Sequence, residues 1–341
     1  MINSKDINRA QNYRVLATQF YENGNIEKAE TFLKKAIALN DKDPITYFLL
    51  ANVYEDMHRE QEACDFYEKV LSLDDTIGEA YYNLAILIDG QGQRDKAIDY
   101  YKEAIKASPH IAGAYYGIAI ILDDKGEKKE ALAYYYKTIE LDNKYDRAYF
   151  YIANIYDELG EKDKAISYYK TVIGLVPTDY MAFNNLSSIL EEQGRYYEAL
   201  EAAEQSISIN PNYYKPYFNK GVILAHLGRK EKAIACYDEA MALAPDFIHT
   251  YYNKGVLLLE MRKLEQAIEM FSRAIEIDIA YEASYYNRAC CYALMREDAQ
   301  ALQDLKQSIK LKKENVRYAQ KCPDFDAIRH LDAFKDLLKL Y

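Results

Sequence analysis

Alanine recurs every 34 residues along this chain, at nine successive positions without an insertion. The nine alanines are Ala29, Ala63, Ala97, Ala131, Ala165, Ala199, Ala233, Ala267 and Ala301. A fixed period of this length is typical of proteins that stack one short unit many times, because each unit buries its apolar face only against its neighbours. The period therefore predicts a repeat protein, and not the two globular domains that a length of 341 residues would otherwise suggest.

The 34-residue unit has the pattern of two helices joined by short turns. Its fourth place is aromatic in every unit, and a glycine closes the first half of most units. In the third unit, Tyr81, Leu84, Ala85 and Ile88 follow the i, i+3, i+4, i+7 spacing of one helix face. Glycine favours the left-handed conformation that ends a helix, and the recurring alanine allows two helices to approach closely. Each unit is therefore predicted to be a first helix, a turn, a second helix and a second turn.

The register divides the chain into a polar amino-terminal segment, nine units and a carboxy-terminal segment. The nine units are 10–43, 44–77, 78–111, 112–145, 146–179, 180–213, 214–247, 248–281 and 282–315. Residues 1–9 are polar and are expected to fray. In residues 316–341, Ile328, Leu331, Phe334 and Leu338 have helical spacing. We predict that this segment is one helix that caps the ninth unit, and a partner-binding helix is the alternative.

The pattern resembles the tetratricopeptide repeat. The matching places of the unit are the aromatic place 4, a small residue at place 8, alanine at place 20, an aromatic or apolar residue at place 24 and proline at place 32. His58, Arg262 and Arg296 depart from it, because they stand where glycine is expected. The resemblance implies an all-α, right-handed solenoid superhelix of tandem helix-turn-helix units. It also implies that the first helix of each unit lines the concave side.

Composition narrows the classes of function. The chain has 54 acidic and 43 basic residues, and its net charge of −11 argues against a nucleic-acid partner. No apolar run approaches the ~20 residues that cross a bilayer, so no membrane partner is predicted. The five cysteines are scattered and form no C-x-x-C motif. They indicate reduced thiols, and we therefore expect a soluble, cytoplasmic protein.

The sequence contains no signature of catalysis. Phosphate-binding glycine loops, zinc-protease motifs and nucleophile elbows are absent from it, and no histidine pairs with a cysteine or carboxylate at metal-ligand spacing. The vicinal Cys290 and Cys291 are interpreted as packing residues, because neighbouring positions on a helix point in different directions. We therefore predict no enzyme, no catalytic residue, no cofactor and no metal site.

In the tetratricopeptide family, places 2, 5, 6, 9, 12 and 13 of the first helix face the ligand groove. The aromatic candidates at place 5 are Tyr82, Tyr116, Phe150, Phe218, Tyr252 and Tyr286. Place 6 is asparagine at Asn83, Asn185, Asn219, Asn253 and Asn287. These asparagines resemble the asparagine ladder of the O-GlcNAc transferase repeats, which holds extended peptides, since an amide both donates to and accepts from a peptide backbone. They equally fit the family's general preference for asparagine at this place.

Acidic residues gather at places 12 and 13 of units two to six. This acidic strip comprises Glu55, Asp56, Asp89, Asp123, Asp124, Asp157, Glu158, Glu191 and Glu192. These places end the first helix, where the helix dipole prefers cations by ~0.3–1 kcal/mol. Two interpretations stay open. The strip attracts a basic partner segment toward the amino-terminal half of the chain, or it is a row of solvated and salt-screened helix ends.

The predicted function is that of a non-enzymatic scaffold that binds a peptide or protein segment in its concave groove. Two alternatives stay open. The first is a regulatory or assembly factor that acts through the convex face or the ends. The second is a module that senses a ligand by a change of superhelical pitch.

Overall fold

The computed structural model describes residues 3–340, and all regular structure in that range is helical. The α-helices are α1 (Ser4–Glu22), α2 (Ile26–Leu39), α3 (Pro44–Asp56), α4 (Glu60–Leu73), α5 (Gly78–Gly90), α6 (Arg94–Ala107), α7 (Ala112–Asp124), α8 (Lys128–Leu141), α9 (Asp146–Glu158), α10 (Lys162–Leu175), α11 (Tyr180–Glu192), α12 (Tyr196–Ile209), α13 (Tyr214–His226), α14 (Lys230–Leu243), α15 (Ile248–Glu260), α16 (Leu264–Ile277), α17 (Glu282–Leu294), α18 (Asp298–Leu311), α19 (Asn315–Lys321) and α20 (Asp332–Lys339). The all-α class of tandem helix pairs predicted from the period is confirmed.

The turn inside each repeat has the left-handed residue that the sequence predicts. Six glycines adopt positive φ there, for example Gly24 at 73° and Gly126 at 80°. The three repeats without glycine keep the same turn, since His58, Arg262 and Arg296 have φ values of 56°, 59° and 65°. A side chain in this region costs roughly 1–2 kcal/mol relative to glycine. The turn geometry is therefore retained at some expense of backbone strain.

Aromatic rings and the recurring alanines fill the space within the helix pairs. All nine alanines are completely buried. In most repeats, rings at places 4 and 5 of the first helix pack on the rings that the second helix carries at places 23 and 24. In repeat three, the Tyr81 and Tyr100 ring centroids are 6.4 Å apart, and those of Tyr82 and Tyr101 are 6.1 Å apart. Much of the unusual tyrosine content, 35 residues with no tryptophan, therefore belongs to repeated packing.

The helices divide after Glu161 into two compact bodies. The amino-terminal body holds α1 to α9, and the carboxy-terminal body holds α10 to α20. Within each body the second helix of one repeat packs against the first helix of the next, as α2 does on α3 and α12 on α13. Each helix pair thus buries its apolar faces against neighbouring pairs, as expected of stacked repeats.

The ends of the chain differ from the sequence prediction. Helix α1 begins at Ser4, and the Asn3 side chain accepts a hydrogen bond from the Lys5 backbone N–H, so residues 4–9 extend the first helix. Residues 1 and 2 of the segment expected to fray lie outside the described residues. The single capping helix predicted over 316–341 is replaced by α19, a 3-10 helix (Pro323–Phe325) and α20.

Proline explains the break in the carboxy-terminal segment. Pro323 has no N–H to donate, and it disfavours helical geometry at Cys322, which is in extended conformation. The segment still covers the last repeat, because Phe325, Ile328 and Phe334 are buried in the same core cluster as residues of α17. Tyr341, the last residue of the predicted helix, lies outside the described residues. Among residues 3–340, no helix combines the length and apolarity needed to cross a bilayer.

Candidate functional site

Asn83 belongs to a hydrogen-bonded cluster between repeats two and three. Its Nδ2 donates to the Tyr67 hydroxyl at 3.0 Å and lies 3.4 Å from Asn52 Oδ1. The Tyr67 hydroxyl has two acceptors, Asn52 Oδ1 at 2.6 Å and Glu55 Oε2 at 2.9 Å. Tyr67 is completely buried, and its burial, reinforced by the Glu55 charge, raises its pKa. The Asn83 amide therefore satisfies a buried hydroxyl of the preceding repeat.

Three other asparagines at place 6 are also hydrogen bonded within the chain. Asn185 Nδ2 donates to the Tyr169 hydroxyl at 3.1 Å, the same relationship that Asn83 has with Tyr67. Repeats six and eight have no tyrosine at place 24, so the place-6 asparagines of the repeats that follow them, Asn219 and Asn287, donate to other acceptors. Asn219 donates to Asn184 Oδ1 at 3.1 Å. Asn287 donates to the Ala283 carbonyl at 2.9 Å and to the Tyr252 hydroxyl at 3.3 Å.

Asn253 is the exception. Its side chain makes no hydrogen bond with any described residue, and it lines a cavity of about 240 Å³ between repeats seven and eight. The other lining residues are Val222, Ala225, His226, Tyr237, Val256, Leu257 and Glu260. Seven of the eight side chains belong to α13 and α15, the first helices of these two repeats. The cavity therefore lies on the face that the family resemblance assigns to ligands.

Two of the polar side chains around this cavity, His226 and Glu260, contact charged residues of the chain. His226 Nε2 lies 3.1 Å from Glu191 Oε1, and its ring stacks on Tyr196 with centroids 5.0 Å apart. Glu260 pairs with Lys230 at 2.9 Å. The Tyr237 hydroxyl, like the Asn253 amide, has no hydrogen-bond partner among residues 3–340. The cavity thus combines the apolar side chains of Val222, Ala225, Val256 and Leu257 with two groups, the Asn253 amide and the Tyr237 hydroxyl, that can both donate and accept.

The aromatic residues at place 5 mainly pack against the chain itself. Tyr116 packs against Tyr135 of its own helix pair, with ring centroids 5.9 Å apart, and against Tyr145 of the following turn, with ring centroids 4.8 Å apart. The same combination recurs in Phe218, which contacts Tyr237 and Phe247 at 6.1 and 5.2 Å. Tyr82 likewise packs against Tyr101 of its own second helix. Tyr252 packs against Phe271 of its second helix and Tyr281 of the following turn. Phe150 is 8 % exposed, and Tyr286 lies under Phe325 of the cap at 5.6 Å. These rings pack within and between the repeats; Phe150 is buried and the other five are half-buried.

Cations of the preceding repeat neutralise part of the acidic strip. The first residue of a second helix (place 17) pairs with place 13 of the next repeat. Within the strip these pairs are Arg94–Asp124 at 2.7 Å, Lys128–Glu158 at 3.0 Å and Lys162–Glu192 at 2.7 Å, and Lys230–Glu260 repeats the arrangement outside the strip at 2.9 Å. We call this set the inter-repeat ion-pair ladder. Lys128 also contacts Asp123, at 2.7 Å. At the position between repeats six and seven, the stacked Tyr196 and His226 occupy the same two places.

Three carboxylates of the strip have no ion pair among the described residues. Glu55 accepts from the Tyr67 hydroxyl, and Asp56 accepts from the Tyr21 hydroxyl at 2.5 Å. Burial, followed by the Asp56 contact, raises the pKa of Tyr21 to about 12. Asp89 is half-buried, and this burial raises its pKa above the ordinary value. The remaining two members of the strip also have partners. The partner of Glu191 is His226, and Asp157 likewise interacts with another residue.

Sequence reasoning missed one polar cluster at the cap. Cys290 of α17 lies with its Sγ 4.0 Å from that of Cys322, which follows α19. Asp324 completes the group, with its Oδ2 4.0 Å from the Cys322 sulfur. The vicinal Cys291 is completely buried in the core cluster that also contains Cys290, as its packing interpretation implies. The 32-residue separation of Cys290 and Cys322 left no local motif to find.

Family models for the tetratricopeptide repeat match most of the chain. They cover residues 43–110, 82–146, 150–214, 214–247, 249–278 and 282–315. The chain belongs to the tetratricopeptide repeat family. Members of this family generally serve as non-enzymatic scaffolds for protein interactions. No curated protein matches the chain in sequence.

Solved structures of tetratricopeptide proteins have a similar fold. One chain in the crystal structure of the APC/C hetero-tetramer Cut9–Hcn1 is 18 % identical to this chain, with a TM-score of 0.54. The match covers 93 % of this chain and 59 % of that one. YrrB, described as a TPR protein with an unusual peptide-binding site, is 20 % identical over 55 % of this chain and 97 % of its own, with a TM-score of 0.46. MamA from Desulfovibrio magneticus RS-1 is 21 % identical over 50 % of this chain and 96 % of its own, with a TM-score of 0.47. At these identities the similarity concerns the fold alone.

Proposed function

We propose that this tetratricopeptide repeat protein is a non-enzymatic scaffold that holds an extended segment of a partner protein against its first helices. The observation that carries the proposal is the cavity at Asn253. It lies between two first helices, has a partly apolar lining and contains two polar groups that have no hydrogen-bond partner among residues 3–340. An extended peptide offers what these groups lack, because its backbone presents donors and acceptors beside an apolar side chain.

The size of the cavity favours a side chain over a free small ligand. Its volume of about 240 Å³ is below the roughly 300–1,000 Å³ of sites that enclose drug-sized molecules. The space suits one apolar side chain of a longer segment, with Asn253 and the Tyr237 hydroxyl bonding the adjacent backbone. The cavity volume therefore favours peptide capture over the sensing of a small ligand.

Hydrogen bonds within the chain favour one of the five asparagines at place 6, Asn253, as the ligand contact. Asn83, Asn185, Asn219 and Asn287 already donate to groups of the chain. Each of those four amides already uses donor capacity inside the chain, whereas the Asn253 amide has no hydrogen bond with any described residue, so Asn253 has the most hydrogen-bonding capacity left for a ligand. We therefore propose Asn253 as the principal amide contact and the other four as residues that align neighbouring repeats.

The test selects peptides from a displayed library of unstructured sequences on the immobilised full-length protein. The affinity of a selected peptide is then compared between the wild type and Asn253→Ala. We expect a loss of about 5- to 150-fold, since an unpaired peptide amide costs roughly 1–3 kcal/mol. Asn287→Ala is the matched control at the same place of the next repeat, and we expect it to change the affinity less than about two-fold. Selected peptides that bind Asn253→Ala and Val256→Glu as tightly as the wild type would contradict the proposal.

We further propose that a basic part of the partner lies along the amino-terminal repeats. Glu55, Asp56 and Asp89 support this placement, because no ion pair among residues 3–340 offsets their charge. Asp124 and Glu158, by contrast, have cation partners. The double variant Glu55→Gln/Asp89→Asn should weaken a lysine-rich peptide, and the effect should shrink at high salt. Asp124→Asn/Glu158→Gln removes two carboxylates that already have cation partners, so it should have the smaller effect. Equal losses in both double variants would show that general charge, and not this site, is responsible.

We also propose that the protein is cytoplasmic. All five cysteines are free thiols in the structure, which supports the reducing environment of the cytoplasm. Imaging of the tagged protein in its native cell tests this placement.

A further inference from the structure

A compact group of metal-ligand side chains joins the last repeat to the capping segment. Within residues 3–340, Cys290, Cys322 and Asp324 each offer one ligand atom, and these atoms all lie within 4.8 Å of one another. Cys290 projects from α17, the first helix of repeat nine, whereas Cys322 and Asp324 flank Pro323 in the cap. Cys290 is buried, and the other two are half-buried. The group is therefore shielded from bulk solvent but open on one side.

The separations suit a single tetrahedral metal ion. Two sulfurs that each lie about 2.3 Å from a tetrahedral zinc ion are ~3.8 Å apart. The observed Cys290–Cys322 separation is 4.0 Å, and that between Cys322 Sγ and Asp324 Oδ2 is also 4.0 Å. Small side-chain rotations would bring all three donors to an ion at their centre. A water molecule can take the fourth position on the open side, as in zinc sites with three protein ligands.

Surrounding residues hold these ligands in place. Asp324 presents Oδ2 toward Cys322, while its other oxygen, Oδ1, lies 3.3 Å from Arg262 Nη1. The Cys322 carbonyl accepts a hydrogen bond from Arg329 Nη2 at 2.9 Å. Such outer contacts orient metal ligands and are usual around metal sites in proteins.

We propose that Cys290, Cys322 and Asp324 bind one zinc ion, which fastens the capping segment to repeat nine. Two thiolates and a carboxylate form a donor set that zinc accepts, and sulfur disfavours the hard ions magnesium and calcium. Both thiols release their protons to solvent when the ion binds. Since the ligands come from two segments that the ion would join, binding stabilises the folded cap by mass action.

The test uses cobalt(II) as a spectroscopic substitute for zinc in the reduced full-length protein. We expect one equivalent to bind, with the thiolate-to-cobalt charge-transfer band and the intense visible bands of tetrahedral coordination. Cys290→Ser and Cys322→Ser should each lose the charge-transfer intensity of one thiolate, and Asp324→Asn should weaken binding at least about ten-fold. Cys236→Ser is the matched control, because this half-buried cysteine of α14 lies outside the group. Zinc should raise the melting temperature of the wild type and of the control, but not that of Cys322→Ser.

Two results would overturn the assignment. The first is a reduced protein with native helix content that shows no thiolate-to-cobalt band, or a band that survives Cys322→Ser unchanged. The second is a disulfide in place of a metal site: the isolated protein has two fewer than its five free thiols, recovers them with a reductant, and then binds no cobalt. If the serine variants unfold, Asp324→Asn still decides the matter, since it leaves both sulfurs in place.

Discussion

Lys162 Nζ lies 2.7 Å from Glu192 Oε2, so the first residue of one repeat's second helix pairs with the last residue of the next repeat's first helix. The same two places are paired in Arg94–Asp124 and Lys230–Glu260. This relationship explains why carboxylates end these helices although the helix dipole disfavours them. A cation held by the neighbouring repeat compensates the dipole, and the pair also fixes the register of adjacent repeats.

The ion-pair ladder predicts measurable coupling between repeats five and six. Lys162→Glu and Glu192→Lys should each lower the free energy of unfolding, and the double exchange should recover most of the loss. We expect a coupling energy of about 0.2–1 kcal/mol, because both side chains are partly exposed. Urea unfolding of the four proteins gives this energy as a double-mutant cycle. The coupling should shrink in high salt, and strictly additive single effects at low salt would refute the ladder.

Glycine at place 8 is predicted to be required by the ring that faces it. A Cβ atom at Gly255 would lie 2.7 Å from Phe271 Cε1, closer than such contacts occur. Gly255→Ala should therefore destabilise the protein by about 1–3 kcal/mol, although alanine is the better helix former. Gly174 of α10 is the matched control, because an added Cβ there meets no atom within 4 Å. Gly174→Ala should be neutral or stabilising by up to ~1 kcal/mol in the same thermal unfolding experiment. Equal responses of the two variants would mean that the ring moves aside without cost.

Two of the three left-handed residues that are not glycine, His58 and Arg296, are predicted to respond differently to glycine. His58 is exposed and has a φ of 56°, so His58→Gly should relieve strain and stabilise the protein by up to ~1 kcal/mol. Arg296 has the same strain, but its Nη1 donates to the Ala327 carbonyl at 2.7 Å and so ties the cap to repeat nine. Arg296→Gly should therefore gain less than His58→Gly, or lose stability. Thermal unfolding of both variants checks the order, and equal gains would mean that the Ala327 contact has no energetic value.

The fold could be predicted from the sequence because each repeat encodes the same local choices. The period, the buried Ala131 and its equivalents, and the turn glycines all agree with one helix pair. The end of the chain departs from the period: the capping segment is helical and covers repeat nine, but it consists of α19, a 3-10 turn and α20 instead of one helix. Helical spacing from Ile328 to Leu338 suggested one helix, but Pro323 and the packing of Phe325 impose a 3-10 turn first.

The candidate site was less predictable, because a repeat position does not state which partner a side chain finds. Asn185 and Asn253 occupy the same place, yet only Asn185 has an internal acceptor among the described residues. Tyrosine is present at place 24 before both of them, so residue identity alone did not separate the two. Contacts between residues far apart in sequence, such as Cys290 with Cys322, are equally absent from any local pattern.

Glu30 gives a prediction with a defined pH dependence. Its Oε1 accepts hydrogen bonds from Lys34 Nζ at 2.6 Å and from the Tyr54 hydroxyl at 2.9 Å, and Arg59 Nη1 lies 3.5 Å away. The hydrogen bond from Lys34 is the main cause of a lowered Glu30 pKa. Tyr54 and Arg59 belong to repeat two, so this carboxylate links the first two repeats.

A lowered pKa in the folded state means that the ionised carboxylate favours folding. The stabilisation is therefore complete above the unfolded-state pKa of about 4.3, and it is lost as the pH falls through the lower folded-state value. Glu30→Gln should cost about 1 kcal/mol of unfolding free energy at pH 7, and the difference from wild type should vanish in acid. Glu269→Gln is the control, because Glu269 is exposed and has no ion pair in the described part of the chain; it should change little at any pH. Urea unfolding of the three proteins between pH 7 and pH 3 tests this, and a difference that persists or grows in acid would show that the charge of Glu30 does not stabilise the fold.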